Sequence, residues 1–160
     1  MKLSTRDDIE APLDFVFAEL SDFEGWETAA LRRGADVVRA DARRGSGVGM
    51  GWKVQFVYRG KPRAMTIHLT DLAAPTRLAF QGEATTVEGG MTIELVELSA
   101  RRTRVVVGTE VKPRTLAARL VLQSLKLAKG KVQKKFDTRV AQLCRDIENR
   151  YRARTGRVAR

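Results

Sequence analysis

Few residues in this sequence are of a type that could do chemistry, and their spacing narrows what they could do. His68 is the single histidine and Cys144 the single cysteine. With no histidine near it in the chain, Cys144 lacks the base a nucleophilic thiol needs, and a zinc–cysteine cluster is excluded by count. The glycine-rich run Gly45-Ser46-Gly47-Val48-Gly49-Met50-Gly51 invites a nucleotide reading. It fails on spacing: a dinucleotide fingerprint begun at Gly45 needs glycine where Met50 stands, and one begun at Gly47 needs it where Trp52 stands. No Gly-Lys-Ser/Thr follows to make a phosphate loop, so the run is expected to be a hairpin connection. Glu83, Glu88, Glu94, Glu97 and Glu110 lie in or beside strand-like segments, Glu94 and Glu97 in patterns that suggest the outer face. One carboxylate turned inward would have its pKa raised by desolvation and could act as a general acid or base. No pair or triad is legible, so no catalytic residue, metal site or cofactor is assigned, and a binding protein is favoured over an enzyme.

These groups must be carried by the fold of a chain of 160 residues, 43% hydrophobic, which is the length of one domain with one core. We place that domain at residues 1–153 and a basic tail at 154–160. The opening MKLSTRDD holds no apolar run, and no long one follows, so neither a signal peptide nor a membrane span is expected. A lone cysteine agrees with a reducing compartment. The expected location is the cytoplasm, including the inner face of the membrane.

Along the chain, residues 2–9 alternate weakly and suggest a strand. Pro12 suits the first turn of a short helix over about 12–21, and Trp26, Ala29, Ala30 and Leu31 suggest a second one ending at Gly34. From residue 35 the period becomes two. Val37 and Val38 sit in a strand running out at Arg43-Arg44. Then Trp52, Val54, Phe56 and Tyr58 alternate with polar residues, Gly60-Lys61 turns the chain into 62–72, and Ala74-Pro75 turns it again. Strands through Leu78 and Phe80, through Met91, Ile93 and Leu95, and through Val105 to Val111 complete six antiparallel strands after the first. In the strand at 62–72, His68 shares a face with Thr66 and Thr70, opposite Met65, Ile67 and Leu69, so it is expected to face solvent.

The stretch from Pro113 to about Arg152 reads as one long helix. At about 100° per residue, Val121, Leu125, Ala128, Val132, Phe136, Val140, Leu143, Ile147 and Tyr151 share one broad stripe, with Cys144 at its edge as a buried thiol. Leu116, Leu120 and Leu127 form a second, narrower stripe, flanked by Arg119, Lys126, Lys131 and Lys134. Gly130 could break or kink the helix between its two halves. The charge follows this division. Residues 1–111 hold 15 Lys+Arg against 16 Asp+Glu, whereas residues 112–160 hold 15 against 3, a net of +12. Such a surface would meet an anionic membrane, and the leucines would equally suit a second copy of the chain or packing on the two short helices. Binding of nucleic acid by the basic helix is the third-ranked reading, because no recognisable reading motif and few aromatics accompany the lysines.

The order of strand, two short helices, six antiparallel strands and long C-terminal helix resembles the helix-grip fold of the START-like, or SRPBCC, superfamily. Ile9-Glu10-Ala11-Pro12, Val16-Phe17, Asp22-Phe23 and Trp26 are similar to the usual start of such domains. The resemblance implies an α+β fold in which a curved antiparallel sheet of about seven strands holds the long helix, with a cavity between them for an apolar ligand. Its iron-dependent Rieske oxygenase branch needs two histidines and is excluded by the single His68. Trp26, Trp52, Phe56, Met65, Ile67, Leu69, Phe80, Met91 and Ile93 would line that cavity, facing Leu125, Val132 and Phe136 of the helix. The expected function is non-enzymatic binding or transport of a lipid- or quinone-like molecule with transient membrane docking. A cyclase or aromatase of the polyketide kind is the alternative, and it requires inward-facing polar groups.

Overall fold

The computed structural model describes residues 1–41 and 47–158. Strand β1 (Lys2–Ile9) leads into helices α1 (Leu13–Leu20) and α2 (Phe23–Arg32). Six strands follow: β2 (Asp36–Arg39), β3 (Gly51–Tyr58), β4 (Lys61–Ala73), β5 (Arg77–Glu83), β6 (Val87–Ser99) and β7 (Arg102–Pro113). Helices α3 (Leu116–Leu127) and α4 (Lys129–Val158) end the chain. The strands form one antiparallel sheet in the order β1-β7-β6-β5-β4-β3-β2, the α+β helix-grip arrangement expected.

Local chemistry explains the punctuation. Asp22 caps α2 by accepting from the Gly25 N–H at 3.1 Å, satisfying a donor that the first turn leaves free. The β3–β4 hairpin turns on Arg59 (φ 52°) and Gly60 (φ 74°), both left-handed, as a two-residue turn matching the strand twist requires. β2 ends at Arg39, earlier than expected. Arg43, Arg44, Gly45 and Ser46 lie outside the described residues.

The C-terminal helix departs from expectation at its start and its middle. Pro113 does not open it. That residue is the last of β7, paired with Val87, and the cap is Thr115, whose hydroxyl accepts from the Ala118 N–H at 3.1 Å. The helix is then interrupted at Ala128 (φ −103°, ψ 24°) rather than at Gly130, which lies in the first turn of α4. The interruption resets the helical phase, so the apolar residues of the two halves need not share one stripe. Val121 is exposed instead of joining Phe136 and Val140. The helix also runs past its expected end near Arg152, because α4 continues to Val158.

One core joins the layers. Ile9, Val16 and Leu20 pack with Leu69, Leu78, Leu95 and Val105 from the sheet and with Val140, Cys144 and Ile147 from α4. Thr103, also buried, donates its hydroxyl to the Ala11 carbonyl at 2.9 Å, which satisfies both groups where β7 passes under the entry to α1. α4 is fastened along β1, with Arg145 donating to the Asp8 carbonyl at 2.6 Å and Gln133 to the Ser4 carbonyl at 2.9 Å.

Candidate ligand-binding face

The side of the sheet turned toward the core, here the inner face, changes character along its length. At one end it is closed. Phe23 of α2 lies 5.6 Å from Trp52 and 6.4 Å from Phe80 between ring centroids, and Trp52 lies 6.5 Å from Phe80. The Trp52 indole N–H donates to Glu27 Oε1 at 2.8 Å, so the polar edge of this cluster is satisfied.

Cover is lost toward the other end. In β6, Ile93 is 8% exposed and Met91, two residues earlier on the same face, is 37% exposed. In β4, Leu69 is buried whereas Ile67 and Met65 are half-buried, and in β3 Trp52 is buried whereas Val54 and Phe56 are half-buried. The strand alternation still turns these side chains inward, so an apolar strip of the sheet stands incompletely covered. On the helices, Leu125 of α3 and Val132 of α4 are both half-buried and both outside the packed core.

The structure thus divides the residues predicted to line a cavity. Trp52, Leu69 and Ile93 are core, and Ile67, Phe80 and Phe136 pack against it. Phe56, Met65 and Met91 belong to the uncovered end, and Leu125 and Val132 are half-buried helix residues outside the packed core. Trp26 belongs to neither. It is exposed on α2 and donates its indole N–H to the Leu20 carbonyl at 2.9 Å. Around Trp52, Leu69 and Ile93 the space expected to be a cavity is packed core. Two open hollows of about 630 and 610 Å³ stand out among the described residues, and neither is lined by α3 or by the Val132–Phe136 turn of α4.

Sequence reasoning missed Gly82 and Gly89. They pair directly between β5 and β6 and, by alternation, belong to the inner face beside Phe80 and Met91. A Cβ on Gly89 would lie 2.4 Å from the Glu110 carbonyl oxygen, so no other residue fits there without moving β7. The Gly89-Gly90 pair inside a strand pattern was the available signal, since interior glycine marks close backbone approach.

Polar chemistry is sparse on this strip. His68 is exposed on the outer face, with its ring beside Gly51. Glu83, Glu88, Glu94 and Glu110 alternate with the inward residues and so face outward, while Glu97 is exposed near the end of β6. Cys144 is fully buried, and burial pushes its pKa up to about 12, with the negative charge of Asp7 adding to the effect. Such a thiol is a packing group rather than a nucleophile.

On α3, Ala118 is 8% exposed, whereas Leu116, Leu120 and Leu127 are 73%, 57% and 93% exposed. These leucines do not pack on α1 or α2. Arg119, Lys126, Lys131 and Lys134 are exposed as well.

No protein-family model matches the chain, and no curated protein does. Solved structures do. An aromatase/cyclase, Zhui from Streptomyces sp. R1128, superposes with a TM-score of 0.69 at 18% identity, covering 96% of each chain. A protein from Thermus thermophilus gives 0.66 at 16% identity, covering 92% of this chain and 97% of its own. A START superfamily protein from Mycobacterium smegmatis gives 0.56 at 16% identity, covering 89% and 98%. At these identities the likeness is one of fold, and the fold is the START-like helix grip.

Proposed function

We propose that this protein, built on a START-like helix grip, binds a hydrophobic small molecule of lipid or quinone type at the uncovered end of the inner face. The observation that carries the reading is the gradient from Ile93 to Met91 in β6, repeated from Leu69 to Met65 and from Trp52 to Phe56. Apolar side chains on three strands lose their cover together. Removing such a surface from water is worth roughly 25 cal/mol per Å², and methionine and phenylalanine walls adapt to ligands of irregular shape. No paired carboxylates or histidine support an acid–base role on this strip, so carriage is favoured over cyclisation.

The test is organic extraction of the purified protein followed by mass spectrometry, together with titration of the neutral fluorophore N-phenyl-1-naphthylamine. A co-purifying apolar molecule, or saturable probe binding abolished by Met65→Ser, is expected. Absence of both would reject the reading.

A further inference from the structure

Helix α3 has two apolar sides, and the fold uses one. Ala118, Leu122 and Leu125 cluster within about 60° on the helical wheel and are the buried or half-buried positions. Leu116, Leu120 and Leu127 cluster within about 40° on the opposite side, and all three are exposed. A helix whose only task was to cover the sheet would carry polar residues there.

The surroundings of that ridge select its occupant. From Val111 to Phe136 the chain carries eight cations, Lys112, Arg114, Arg119, Lys126, Lys129, Lys131, Lys134 and Lys135, and no carboxylate. Lys112 lies 3.9 Å from Glu110, and Arg114 donates to the Ala84 carbonyl. Among the described residues the other six have no carboxylate partner, and all are exposed. A second copy meeting this face about a two-fold axis would bring the same cations together, and like charges would oppose the leucine contact. A nucleic acid would pair with the cations but would desolvate three leucines against a polar backbone with nothing gained. An anionic lipid bilayer satisfies both parts, taking the leucines into its acyl boundary and the lysines among its headgroups.

We propose that α3, with the first turns of α4, is an amphipathic docking element for anionic membranes, inserting Leu116, Leu120 and Leu127. This docking is independent of the ligand reading, and Met65→Ser, which removes probe binding in that reading, leaves it intact.

The test is co-sedimentation of the full chain with vesicles of phosphatidylcholine alone or mixed with phosphatidylglycerol. Binding to the mixed vesicles only, weakened by salt, is expected. Combining Leu116→Ser, Leu120→Ser and Leu127→Ser should reduce that binding about tenfold or more, with circular dichroism and melting temperature unchanged because these side chains are turned to solvent. Lys126→Gln with Lys131→Gln and Lys134→Gln should reduce it as well. Three results would each overturn the proposal. The wild type could ignore the mixed vesicles. The leucine variant could bind them as the wild type does, which is the behaviour of a purely electrostatic, nucleic-acid-like surface. Light scattering could reveal a dimer that the leucine variant converts to monomer, without vesicle binding.

Discussion

The Trp52 indole N–H and the Glu27 carboxylate meet at 2.8 Å, tying β3 to α2 across the packed end of the inner face. Glu27→Ala leaves the partly buried indole donor without this acceptor and is expected to cost about 1–2 kcal/mol. Glu27→Gln keeps an acceptor oxygen and should lose less than about half of that. Urea denaturation of the two variants checks the ranking, and equal losses would show that the hydrogen bond is not the reason.

The two ends of the inner face should respond oppositely to truncation. Trp52→Ala opens a cavity in a closed aromatic cluster and is expected to cost about 3–5 kcal/mol. Met65→Ser removes a half-buried side chain outside the core, with an expected cost of about 1 kcal/mol. Only the second should abolish probe binding in a protein that remains folded, as read by thermal melts beside fluorescence titration.

Cys144 titrates on the alkaline side. Its ordinary value of 9.0 is raised to about 12 in the fold, chiefly by burial, so the folded state holds a proton that the unfolded chain releases. The stabilising contribution is full below about pH 9 and is lost as pH rises from there toward 12. A thiol reagent at neutral pH should leave the native protein unlabelled and label it completely in denaturant. Cys144→Ala should remove this contribution to the alkaline loss of stability.

Asp8 acts on the acid side. A hydrogen bond from the Arg104 guanidinium, directly opposite it in the β1–β7 register, holds its carboxyl below the ordinary 3.8, and the charges of Arg104, Arg102 and Arg6 add to this. The depressed value means that its contribution is present above pH 3.8 and is lost as pH falls through the folded value. Asp8→Asn should be less stable than the wild type at neutral pH and lose less on acidification, as measured by denaturation midpoints at several pH values.

Much of this fold was legible because its signals are local. The shift from helical to period-two spacing near residue 35 and the turn at Gly60 depend on neighbours in the chain, and they returned the seven strands in order. The inward set Trp52, Leu69 and Ile93 followed from the same alternation, as did the outward His68. The charge division and the two apolar stripes of the C-terminal segment also come from sequence alone. Tertiary structure decided the rest. Alternation says which way a side chain points, but the degree of its cover depends on what lies opposite, so Met91 and Ile93 looked alike until the packed core was seen to include one and not the other. For Trp26, a helix position near a sheet does not reveal that its indole bonds the end of the preceding helix. The helix break fell at Ala128 rather than Gly130, a choice that glycine's intrinsic weakness in a helix does not predict. The fate of Leu116, Leu120 and Leu127 could likewise be read only from the assembled chain, in which α3 covers the sheet with its other side.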